Sequence, residues 1–129
     1  MSDTNAIERH LAPGAPFSDP AVVSGPGRWI AVSGQIGFDE DGKVPADFRR
    51  EAELCFEHVR RSLARAGASF GDVLRMRAYL TNLEQYPIFA QVRAETFDGA
   101  PPASTAVGVS ALLLGGSLEI EATAYLSER

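Results

Sequence analysis

The sequence predicts an α+β fold, a mixed β-sheet with two helices packed on one face. Three observations predict it. Residues 118–125, L-E-I-E-A-T-A-Y, alternate between apolar and polar side chains, and residues 73–80, V-L-R-M-R-A-Y-L, do the same. A period of two belongs to a half-buried strand. Between residues 48 and 66 the apolar positions recur every three or four residues instead, which is one face of a helix.

Taken in order, residues 1–16 read as a loosely ordered lead-in, polar and acidic at its start and unlike a secretory signal. Residues 17–23 hold a short strand interrupted by Pro20, and S-G-P-G at 24–27 is a turn. W-I-A-V-S at 29–33 predicts a buried strand. Gly34 and Gly37 mark close approaches that a side chain would block. D-E-D-G at 39–42 predicts a hairpin loop. Phe48, Ala52, Cys55, Val59, Leu63 and Ala66 then line one helix face, with Asp47 at its start and Gly67 at its end. The other face carries Arg49, Arg50, Glu53, Glu57, Arg60 and Arg61 and reads as solvated. In the next strand Leu74, Met76, Ala78 and Leu80 face one way, and Val73, Arg75, Arg77 and Tyr79 the other. Asn82 and Gln85 are spaced as a capping box for a second helix that runs to about Phe97, with Pro87 in its first turns. Asp98-Gly99 ends it. Pro101 and Pro102 set the entry to a strand over 104–109, and 118–125 closes the fold.

A length of 129 residues predicts one domain, 1–129. A net charge of −5 argues against nucleic acid as a partner. Cys55 is the one cysteine, so a disulfide within the chain is excluded, and His10 and His58 lack metal-ligand spacing. No stretch is apolar enough to span a membrane, and a cytoplasmic protein is expected.

Glu119 and Glu121 share one face of the last strand. They are expected to look across at the small residues of the strand that follows the two prolines. Two readings are open at this point: a solvated sheet face, or a site built from paired carboxylates.

Several segments in this order resemble the RidA/YjgF family, also labelled endoribonuclease L-PSP. They are S-G-Q at 33–35, V-P-A-D at 44–47, the strand at 73–80, P-A-S at 102–104 and E-I-E-A at 119–122. The resemblance spans residues 17–125. It implies a chorismate-mutase-like fold and a homotrimer whose sheets face a central barrel. It also implies a small-molecule ligand in a cleft between adjacent subunits. The implied chemistry is hydrolysis of enamines and imines, such as 2-aminoacrylate, to ketoacids and ammonia, with no metal and no cofactor.

In that family an arginine clamps the substrate carboxylate with its planar fork. The matching position here is Ser104. The family's tyrosine matches Phe17, its cysteine matches Ala106, and its helix asparagine matches Ala90. Ser33, with Gly34 beside it, and Glu119 keep the family's residues. The resemblance thus implies Glu119 as general acid or base, and Ser104 and Ser33 as orienting hydroxyls. Phe17, Gly34 and Ala106 would line the ligand. Losing a charge-assisted hydrogen bond costs about 1.5–3 kcal/mol, so ordinary 2-iminoacid deamination is not expected and a less anionic ligand is. Arg75, Arg77 and Arg93 are read as surface charges, the alternative being that one of them supplies the missing cation from a new direction. The alternative is a small-molecule-binding trimer that kept the fold and lost the chemistry. A ribonuclease, named only in the older label, fits poorly with the acidic charge and the absence of a histidine pair.

Overall fold

The computed structural model describes residues 7–14 and 16–128. Its elements are β1 (Ile7–Leu11), β2 (Ser18–Val23), β3 (Gly27–Ile36), α1 (Phe48–Arg65), β4 (Val73–Leu80), α2 (Tyr86–Thr96), β5 (Ala103–Gly108) and β6 (Leu118–Ser127). The strands form one mixed sheet in the order β1-β2-β5-β4-β6-β3. β4 runs parallel to β5 and antiparallel to β6.

The alternation seen in the sequence sorts the side chains. Met76, Ala78 and Leu80 of β4 and Leu118, Ile120, Ala122 and Ala124 of β6 point to one face. There they meet Ala52, Cys55, Val59 and Leu63 of α1 and Phe89 and Val92 of α2. Burying a side chain of leucine or phenylalanine size stabilises by about 1.5–3 kcal/mol, so this layer is the core. α1 starts where Asp47 accepts the Arg50 N–H at 3.0 Å, a cap worth about 1 kcal/mol. It stops before Gly67, whose φ of +81° suits a residue without a Cβ. Its outer face is solvated as predicted, with Glu57 paired to Arg60 at 2.5 Å and to Arg61 at 3.2 Å.

Several expectations change. The lead-in is not loose over residues 7–11, which form β1 against β2; residues 1–6 and 15 lie outside the described residues. The physical reason is Arg9. Its guanidinium donates to the carbonyls of Val73 (3.0 Å), Pro101 (3.1 Å) and Gly71 (2.9 Å), tying the strand to the start of β4 and to the segments that lead into β4 and β5. β3 is not a buried strand: Val32 is buried but Trp29, on the face away from the helices, is 61% exposed. The turn at 39–42 leads into α1 rather than closing a hairpin; Gly42 N–H donates to Asp39 O at 2.9 Å. Asn82 caps a single 3-10 turn through the Glu84 N–H, and α2 begins after it at Tyr86. Val73 is buried, because a register shift between Val73 and Arg75 breaks the alternation at the strand's start. Tyr125 is also buried, edge-on against Trp29 with its hydroxyl donating to Gly25 O. The small-residue strand β5 does not neighbour β6; β4 lies between them.

Candidate functional site

The sequence-predicted site residues gather in two groups, which the chain holds apart. The first surrounds Glu119. β3 and β6 pair regularly up to Val32 opposite Ala122, then resume at Gln35 opposite Ile120. Two residues, Ser33 and Gly34, therefore face one, which is a β-bulge. A Cβ on Gly34 would collide with the Glu119 carboxylate. The missing side chain of Gly34, next in sequence to Ser33, thus leaves the room that the Glu119 carboxylate occupies. Glu121 does something else. It accepts the Tyr79 hydroxyl at 2.6 Å on the same open face of the sheet, and this bond holds the Tyr79 proton more tightly than usual.

The second group surrounds Ser104. β5 runs in register with β4, Ser104 opposite Met76 and Ala106 opposite Ala78. Met76 and Ala78 are core residues, so Ser104 and Ala106 point toward the helices. There Ser104 Oγ accepts from Arg93 Nη1 at 2.9 Å. Arg93 is the unexpected member. It is 2% exposed rather than a surface charge. Nη2 donates to the Tyr86 hydroxyl at 3.0 Å, and Nε is buried without a hydrogen-bond partner among the described residues. The guanidinium stands 5.4 Å from the Phe17 ring centre, 5.6 Å from that of Tyr86 and 5.1 Å from that of Phe89. Its described partners are hydroxyls and ring faces, not a carboxylate. Arg75 and Arg77 lie exposed on the other sheet face, and Arg75 also lines the edge of the cleft that Ser104 lines.

β2 meets β5 at one bridge, Ser18 to Ala103, and then diverges. The divergence opens a cleft of about 490 Å³ lined by Phe17, Ser18, Asp19, Leu74, Ser104 and Thr105 among others. A larger hollow of about 800 Å³ lies over the charged face of α1 and contains no predicted site residue.

The two groups do not meet within one chain. Ser104, Ala106 and Phe17 lie at β5 on the helix side; Glu119, Ser33 and Gly34 lie at β3 and β6, beyond β4. Glu51 escaped the sequence reading, and Arg93 reads there first as a surface charge. Arg93 lies four positions after Phe89 and three before Thr96 on α2, in line with Tyr86, so it belongs to an inward stripe. Glu51 sits three residues after Phe48 and four before Cys55, on the apolar stripe of α1. It is 2% exposed, and its carboxylate accepts the N–H groups of Ser117 at 2.6 Å and Leu118 at 3.1 Å.

The family model described as endoribonuclease L-PSP matches residues 7–126. The chain is 35% identical over 120 residues to a RutC family protein of Pyrococcus abyssi, covering 92% of each. It is 30% identical to a 2-iminobutanoate/2-iminopropanoate deaminase of Dermatophagoides farinae, covering 94% of this chain and 95% of that one. Its fold superposes on the crystal structure of Escherichia coli TdcF with bound serine at a TM-score of 0.74 and 32% identity, covering 88% and 94%.

Proposed function

The chain belongs to the endoribonuclease L-PSP family, the RidA/YjgF family of small-metabolite proteins, and from that premise we propose that it hydrolyses a reactive imine or enamine without a cofactor. The observation that carries the proposal is the Glu119 carboxylate seated on Gly34. A glutamate held against bulged backbone can hold a water and take its proton. An enamine first takes a proton on carbon to become the iminium. Glu119 then removes a proton from water as the water oxygen attacks the imine carbon, and the C=N pair moves to nitrogen. The carbinolamine nitrogen takes that proton back. Its C–N bond breaks, the O–H pair re-forms C=O, and ammonia leaves with the hydroxyl proton as ammonium. Ser33 and Ser104 orient the substrate, and Phe17, Gly34 and Ala106 line it.

The separation of the two groups supports a site built between subunits. Glu119 from one copy and Ser104 from the next can share a ligand only if the copies associate head to tail, as in a ring. The homotrimer of the resemblance supplies that geometry.

The test is ammonia release from imines generated in situ. Wild type is expected to turn over, and Glu119→Gln to lose about 100-fold or more while still binding ligand. A wild type that binds but releases no ammonia overturns the enzymatic reading and leaves the binding trimer. Light scattering that shows a monomer at micromolar concentration removes the shared site.

A further inference from the structure

The position matched to the family's arginine is a serine, yet the site is not without a cation. Arg93 reaches Ser104 from the opposite direction, off helix α2 rather than off strand β5. We propose that Arg93 and Ser104 act together as an anion relay, so that the ligand of this cleft carries a carboxylate. The inference rests on the reading above that the cleft takes an imine, and it reverses the expectation of a less anionic ligand.

The chemistry follows from hydrogen-bond bookkeeping. A serine hydroxyl has one proton and two lone pairs. Arg93 Nη1 occupies one lone pair at 2.9 Å. Accepting from a cation polarises the O–H and leaves its proton to be donated elsewhere. Ser104 also lines the 490 Å³ cleft between β2 and β5, so the cleft is where that proton can go. Arg93 itself is 2% exposed, and its Nε has no hydrogen-bond partner among the described residues. Its described contacts, two neutral hydroxyls and the faces of Phe17, Tyr86 and Phe89, leave a full positive charge without an acid beside it. A buried cation of this kind is costly unless an anion answers it. Ring faces answer part of the cost, and a carboxylate on Ser104 would answer the remainder. Phe17, where the family's hydroxyl is lost, serves in this arrangement as one of the rings over the guanidinium. Arg93 is accordingly a positioning and charge-supplying residue, and Ser104 is the group that touches the ligand.

The experiment uses binding, so it does not depend on turnover. Pyruvate serves as the probe and its methyl ester as the uncharged control, both followed by calorimetry on the full chain. Wild type is expected to bind pyruvate and to bind the ester at least about tenfold more weakly. Ser104→Ala and Arg93→Gln are each expected to lose about tenfold or more in pyruvate affinity, with the ester unaffected. Thermal melting checks that both variants fold; should Arg93→Gln fail to fold, Ser104→Ala decides alone. Equal binding of pyruvate and ester overturns the relay, as does Ser104→Ala binding pyruvate like wild type, or wild type binding none at millimolar concentration. The two proposals fail separately. Pyruvate bound through Ser104 with no ammonia released removes the hydrolysis and keeps the relay; ammonia released with pyruvate binding insensitive to Ser104 does the reverse.

Discussion

The buried carboxylate of Glu51, on α1, accepts the backbone N–H of Leu118, the first residue of β6, and the N–H of Ser117 before it. A helix side chain thus caps the strand that carries Glu119. Glu51→Ala leaves two N–H groups without this acceptor, at about 1–3 kcal/mol each. Urea denaturation should show a loss in the range of about 2–6 kcal/mol, among the largest for any single substitution outside the apolar core.

The same residue sets a pH dependence. Burial pushes the Glu51 carboxyl above its usual 4.5, against the pull of the Ser117 and Leu118 N–H groups. A raised folded value means that the folded state holds the proton more tightly. The contribution is full below the unfolded value and is lost as pH rises through the folded one. Stability should therefore fall as pH is raised from about 4.5, and Glu51→Gln should flatten that slope. Glu57, pulled down chiefly by its hydrogen bond with Arg60, acts below this window and with the opposite sign. Urea midpoints across the pH series, wild type against Glu51→Gln, check the assignment.

Gly34→Ala tests the seat of the glutamate. The added methyl would collide with the Glu119 carboxylate, and the side chain is the softer partner. Turnover should drop by about 100-fold with little change in melting temperature, because Gly34 is exposed. A variant with wild-type turnover would show that Glu119 works from another position.

Arg9→Met tests the anchoring of β1. Three backbone carbonyls lose their charged donor, and a loss of about 1.5–3 kcal/mol is expected. Proteolysis should then cut earliest within β1. Equal stability would mean that strand pairing alone holds this segment.

Shared sites can be tested by complementation. Glu119→Gln blocks one group, and Ser104→Trp fills the other. Each alone should be inactive. Unfolded together in equal amounts and refolded, they should regain about a quarter of wild-type turnover, the fraction of head-to-tail sites that draw both intact halves. A mixture that stays inactive would place the whole site within one chain.

The fold was legible wherever a period was clean. The alternation of residues 118–125 named the core side of β6, and the stripe from Phe48 to Leu63 named α1 and its cap at Asp47. Irregularities were not legible. The bulge at Ser33 and Gly34 and the register shift after Val73 break periodicity without any marker beyond a glycine. Strand order was hidden too, since β4 enters between β5 and β6 from far away in sequence. The site was half legible. The resemblance picked out Glu119, Ser33 and Ser104, but Arg93 looked like a surface charge because arginines usually are. Its place in line with Tyr86 and Phe89 was the signal.

The one-bridge junction of β2 with β5 divides the sheet mechanically. Four strands, β5-β4-β6-β3, form a continuous plate, and β1 with β2 form a small leaf hung from its edge. The hinges are the Ser18–Ala103 pair, the bond from Ser18 Oγ to Pro101 O at 2.7 Å, and the Arg9 guanidinium. Alternate amides of β5 beyond Ala103 face the seam instead of a partner strand. They should exchange hydrogen faster than their neighbours bonded to β4, so an every-other-residue exchange pattern along β5 would trace the mouth of the cleft.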